Sequence, residues 1–189
     1  STDGGATWAQ VADFASDGAL LTMRVLADGD TVYASTFNPC LQGGKLYKSS
    51  DAGSTWTDVT GSLPKGILDL AVDPGDADIV YVTTNINGAH KSMNGGTTWR
   101  ALEGFPDVGA YDIEVDPDDH TTLYASARGG SLPAWFTEIS GDHPDGVTFT
   151  DDAGVYKSTD SGENWSKLLT TSASCRAIRR HPDNPELFF

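Results

Sequence analysis

An all-β fold, a β-propeller of four-stranded antiparallel blades, is predicted by three features of the sequence. A short turn motif recurs four times, a Val-Asp-Pro…Val-Tyr strand pattern recurs between the turns, and 21 Gly and 9 Pro punctuate the chain at short intervals. The turn copies are Ser1-Thr2-Asp3-Gly4-Gly5-Ala6-Thr7-Trp8, Ser49-Ser50-Asp51-Ala52-Gly53-Ser54-Thr55-Trp56, Ser92-Met93-Asn94-Gly95-Gly96-Thr97-Thr98-Trp99 and Ser158-Thr159-Asp160-Ser161-Gly162-Glu163-Asn164-Trp165. Their tryptophans lie 48, 43 and 66 residues apart. The first two intervals match the ~40 to 50 residues of one propeller blade, and the third requires an insertion of about twenty.

Taken in order, residues 1–11 read as the last strand of one blade and 19–59 as a complete blade. Residues 67–102 form the next blade, 110–169 a third that carries the insertion 128–152, and 175–189 the first strands of a fourth. The clearest unit divides into strands A (Ile67–Val72), B (Ile79–Thr84), C (Gly88–Ser92) and D (Thr97–Leu102), with the motif as the C–D turn. Tyr111, Ile113 and Val115 alternate with Asp112, Glu114 and Asp116, the period of two that defines a strand. Asp73-Pro74 and Asp116-Pro117 end strand A, since proline cannot donate to the ladder and favours a turn. The ends of the chain supply parts of a further blade without its strand C. The expected architecture is therefore a section of a larger propeller, seven-bladed or similar, completed by further blades of the same or another chain.

The turn has local physics. In Ser1/Asp3/Gly5/Trp8, Ser49/Asp51/Gly53/Trp56, Ser92/Asn94/Gly96/Trp99 and Ser158/Asp160/Gly162/Trp165, the Asp or Asn side chain accepts from backbone N–H groups of its own turn. Glycine supplies the positive φ, and the tryptophan buries its ring as strand D begins. These copies resemble the bacterial neuraminidase, or Asp-box, repeat of sialidases, xyloglucan-degrading endoglucanases, sortilin-type receptors and a photosystem assembly factor. The resemblance spans all but about residues 128–152, and its cadence is closest to the endoglucanases. It implies an extracellular or cell-surface propeller, and it does not fix an activity.

Composition narrows the classes. The chain has 12 Lys+Arg against 27 Asp+Glu, a net charge of -15, which repels a phosphate backbone and argues against nucleic acid. No apolar run reaches the ~18 to 20 residues of a membrane span. Cys40 and Cys175 establish no disulfide framework. His90, His120, His143 and His181 lack metal-ligand spacing, and no cofactor-binding motif is present.

Candidate sites fall on the face shared by the D–A and B–C loops. The insertion carries Trp135, Phe136, His143 and Asp145. An aromatic ring beside carboxylates can stack and hydrogen-bond a sugar, or the rings can form the loop's own small core. Asp69 and Asp112 hold equivalent places on successive A strands. Such a pair can act as acid and base in glycoside hydrolysis, or can bond a neighbouring blade's backbone. Arg24, Arg176, Arg179 and Arg180 lack the Arg-Ile-Pro context of sialidases. Three readings remain: a recognition module binding glycan or protein, part of a secreted glycoside hydrolase, and a structural or assembly protein.

Overall fold

The computed structural model describes residues 1, 3–15, 21–37, 43–64, 66–85, 87–106, 108–128, 152–171, 178, 180–181 and 184–188. Three four-stranded antiparallel sheets follow one another along the chain, each in the strand order of the sequence. The first blade comprises β1 (Leu21–Asp28), β2 (Thr31–Phe37), β3 (Leu46–Ser49) and β4 (Thr57–Asp58). The second comprises β5 (Ile67–Asp73), β6 (Asp76–Thr84), β7 (Ala89–Ser92) and β8 (Arg100–Ala101). The third comprises β9 (Ala110–Val115), β10 (Leu123–Ala127), β11 (Gly154–Ser158) and β12 (Ser166–Thr170), and β13 (Arg180–His181) pairs with β14 (Asn184–Phe188) beyond it. The chain is thus a run of propeller blades with β1, β5 and β9 as the A strands.

The blades bury their facing sides against one another, and central strands such as β10 are buried throughout. Tyr33, Leu46 and Leu63 of the first blade pack on Ile67, Leu70, Val80 and Val82 of the second. Ala71, Tyr81, Leu102 and Phe105 of the second pack on Ala110, Ile113, Leu123 and Tyr156 of the third. Tyr124 and Val155 continue this stacking onto Ile178. In every blade a lysine of strand C lies over the tyrosine of strand B, with Lys48 5.6 Å from the Tyr33 ring centre, Lys91 5.1 Å from Tyr81 and Lys157 5.4 Å from Tyr124. The lysine stem covers the ring while its ammonium reaches the next blade. Lys48 Nζ pairs with Asp78 at 2.7 Å and Lys91 Nζ donates to the Ser161 carbonyl at 3.2 Å.

The four motif turns have one geometry. In the second copy Ser49 Oγ accepts from Gly53 N–H at 2.8 Å and donates to Asp51 Oδ1 at 2.7 Å. Asp51 in turn accepts from Thr55 N–H at 2.7 Å and from Thr55 Oγ1 at 2.6 Å. These bonds hold the Asp51 carboxyl down at about 2, below its ordinary range. Gly53, Gly96 and Gly162 have φ of 88°, 87° and 92°, in the left-handed region that glycine enters without cost. Trp8, Trp56 and Trp165 donate Nε1–H to the glycine carbonyl of their own turn, whereas Trp99 donates to Val59 of the first blade at 2.9 Å.

Two expectations need correction. Strand D of the second blade was expected from Thr97, but Thr97 and Thr98 donate their N–H groups back to Asn94, so pairing starts only at Arg100. A buried tryptophan is expected in all four copies, yet Trp8 is 81% exposed and Trp56, Trp99 and Trp165 are half-buried. Residues 3–14 form the turn and an irregular segment in place of the expected last strand of a blade.

Candidate functional site

The inner strands carry a repeated irregularity. In the first blade Arg24 pairs with Ser35, in the second Asp69 pairs with Thr83, and in the third Asp112 pairs with Ser126. The register shifts by one immediately beside each pair, leaving Met23, Leu68 and Tyr111 as bulge residues. A bulge turns the next side chain out of its expected alternation, and here it brings the same position of three successive blades into one line. Because β1 lies against β5 and β5 against β9, these three side chains meet where the blades converge.

Asp69 is 4% exposed and Asp112 is 3% exposed. Asp69 Oδ2 accepts from Ile113 N–H at 3.3 Å, and Asp112 Oδ2 accepts from Ile178 N–H at 2.5 Å. Asp69 therefore satisfies a backbone donor on β9 of the following blade, and Asp112 one at Ile178, ahead of β13. Arg24 Nε stands 3.0 Å from Asp69 Oδ1, near enough for charge attraction but without hydrogen-bond alignment. Burial, followed by a hydrogen bond to Asp112, pushes the Asp69 carboxyl up to about 8, and the Arg24 charge opposes the rise. The neighbouring Asp112 carboxyl adds to the rise, because like charges in contact disfavour ionisation of Asp69.

Above this line, on the D–A and B–C loop face, Arg128 Nη1 donates to Asn85 Oδ1 at 2.9 Å. Its guanidinium carbon lies 5.7 Å from the centre of the half-buried Tyr111 ring. Arg128 N–H also donates to the Gly109 carbonyl, and Asn85 N–H to Gly66, tying the B–C and D–A loops together. Sequence reasoning weighed Arg24 only against the sialidase arginine context and did not single out Asn85 or Arg128 on chemical grounds. The signal was present for Arg24, since aligning Tyr33-Ala34-Ser35 with Tyr81-Val82-Thr83 puts it in the place of Asp69.

Trp135, Phe136, His143 and Asp145, together with Cys40 and Cys175, lie outside the described residues. The side chains of Arg176, Arg179, Arg180 and His181 do so as well. Among the described residues no cluster of three His, Cys, Asp or Glu side chains could hold a metal ion. No helix there is long and apolar enough to cross a membrane.

The profile of the Sortilin-Vps10 family (sortilin, neurotensin receptor 3) matches residues 44–189. The chain belongs to the Sortilin-Vps10 family. Among curated proteins, a xyloglucanase of Hypocrea jecorina (strain QM6a) is 35% identical over 92 residues, covering 47% of this chain and 11% of that protein. Among solved structures, the GH74 enzyme of Niastella koreensis superposes with a TM-score of 0.65 at 23% identity, over 86% of this chain and 25% of that one. The GH74 xyloglucanase of Xanthomonas campestris gives 0.62 at 24% identity, over 89% and 26%. These Sortilin-Vps10 blades therefore share the fold of the GH74 enzymes and span about a quarter of the solved chains. The match begins just before the second turn copy and runs through the third and fourth.

Proposed function

We propose that this chain is a recognition section of a larger extracellular propeller, binding a β-glucan or related glycan across the loop face without itself cleaving it. The observation that carries this reading is the engagement of both inner-strand carboxyls. Asp69 and Asp112 are buried, hydrogen-bonded to each other and used up on neighbouring backbone donors. Glycoside hydrolases keep their two carboxyls ~5 to 9 Å apart, to leave room for the sugar and its nucleophile. The ligand class is carried over from the similarity to the Hypocrea jecorina xyloglucanase. The contact is assigned to the insertion that follows Arg128, with Trp135 and Phe136 as stacking rings and His143 and Asp145 as polar partners. Calorimetric titration with xyloglucan oligosaccharides should show binding, and Trp135→Ala should weaken it by ~1 to 3 kcal/mol. Unchanged affinity in that variant would remove the insertion from the contact.

A second reading, part of a glycoside hydrolase, is favoured by one specific observation. A buried carboxyl with a raised pKa beside another carboxyl is the kind of group that enzymes use as a general acid. Release of reducing ends from xyloglucan, lost in Asp69→Asn and Asp112→Asn, would establish the hydrolase and overturn the binding-only reading. No release by the parent chain, with binding intact in both variants, would support recognition.

A further inference from the structure

Asn87 and Asn94 are the asparagines of this chain that glycine follows directly. Such a pair is chemically vulnerable, because no Cβ shields the glycine nitrogen from the side-chain amide carbon of the preceding asparagine. Both pairs belong to the second blade. Asn87 lies in the B–C loop between β6 and β7, and Asn94 in the C–D turn between β7 and β8.

The Asn94 amide is locked. Its Oδ1 accepts from Ser92 Oγ at 3.0 Å and from Thr98 N–H at 2.9 Å, and its Nδ2 donates to Thr98 Oγ1 at 2.9 Å. Swinging the amide carbon onto the Gly95 nitrogen breaks all three bonds. The Asn87 amide is held by nothing comparable. The residue is exposed, and among the described residues its side chain has no hydrogen-bond partner, while its backbone N–H donates to Thr84 Oγ1 at 3.2 Å. The two glycine nitrogens are held alike, Gly88 N–H by the Val108 carbonyl at 2.8 Å and Gly95 N–H by the Asp78 carbonyl at 2.9 Å. The difference between the pairs therefore lies in the asparagine side chain. The fold also fixes the vulnerable glycine in place. Gly88 has a φ of 63°, and a Cβ there would stand 2.8 Å from the Pro106 carbonyl oxygen.

We propose that Asn87 is a self-modification site, hydrolysed to aspartate or isoaspartate in the folded chain, while its own turn protects Asn94. The Gly88 nitrogen bonds to the Asn87 side-chain carbon, the amide leaves as ammonia with the nitrogen's proton, and a succinimide ring closes. Water then adds to either imide carbonyl and reopens the ring, with no oxidation or reduction. Either product adds one negative charge to a chain already at -15, two residues from Asn85, which accepts from Arg128 on the loop face. Isoaspartate also inserts one more carbon into the main chain of a turn closed by Thr84 N–H donating to the Gly88 carbonyl.

Peptide mapping by mass spectrometry tests this on the parent chain held in mildly alkaline buffer, folded and in urea. In the folded chain Asn87 should convert, and Asn94 should convert at least roughly tenfold more slowly, since three hydrogen bonds must break first. In urea the two sites should convert at similar rates. Asn87→Gln should abolish the fast conversion and leave the circular dichroism unchanged, because the replaced side chain is exposed. Thr98→Val removes the hydroxyl partner of Asn94, keeps the backbone donor, and should speed conversion of Asn94 in the folded chain. Asn87 that stays intact when folded but converts in urea would overturn the proposal. So would equal rates at the two sites in the folded chain, or an Asn94 rate that Thr98→Val leaves unchanged.

Discussion

The motif glycine illustrates how one residue serves two ends. Gly96 sits at φ 87°, and a Cβ there would meet Val59 at 2.8 Å and the Trp99 ring at 3.3 Å. Gly96→Ala should cost about 1 to 3 kcal/mol in urea denaturation, through backbone strain and the crowded joint together. The buried carboxyl gives a prediction of opposite character. Because the Asp69 pKa is raised to about 8, the native chain holds a proton that the unfolded chain, near the ordinary ~4, has released. This source of stability is full below about pH 4 and is lost as pH rises towards about 8. Denaturant midpoints at pH 5 and pH 8 should therefore differ in the parent, and Asp69→Asn should flatten the difference. A slope unchanged by that variant would assign the proton elsewhere.

At the level of elements, strand D is the least self-sufficient part of a blade. It pairs over only two residues in β4 and β8, which are exposed, and its hold comes from the side chain that follows. Leu102 continues the ladder by donating its N–H to Ala89 at 2.9 Å and fills the Gly162 turn. Leu102→Ala should cost about 2 to 5 kcal/mol, measured by thermal or urea unfolding, and should loosen the third blade's turn as well as the second blade. The inner strands behave differently. Their bulges at Met23, Leu68 and Tyr111 recur at one position, and this alignment delivers Arg24, Asp69 and Asp112 to a common line. The alternation of Tyr111 to Asp116 announced a strand, but no residue type announces a bulge, so the direction of Asp112 could be read only from its partners.

Across the whole molecule, the blades are joined by two seams: buried charge and backbone bonds near the inner strands, and aliphatic knobs in glycine turns at the outer rim. The sequence by itself determined the blades and their turns, because those depend on bonds within a few residues: Ser49 to Gly53, Asp51 to Thr55, and glycine at φ near 90°. It also supplied Asp69 and Asp112 as equivalent positions. Only the tertiary structure decided that their carboxyls meet, take Arg24 alongside and reach Ile113 and Ile178 on the next blades. Those contacts join residues about forty or more apart, and their geometry follows from how one sheet seats on another, which local periodicity does not encode.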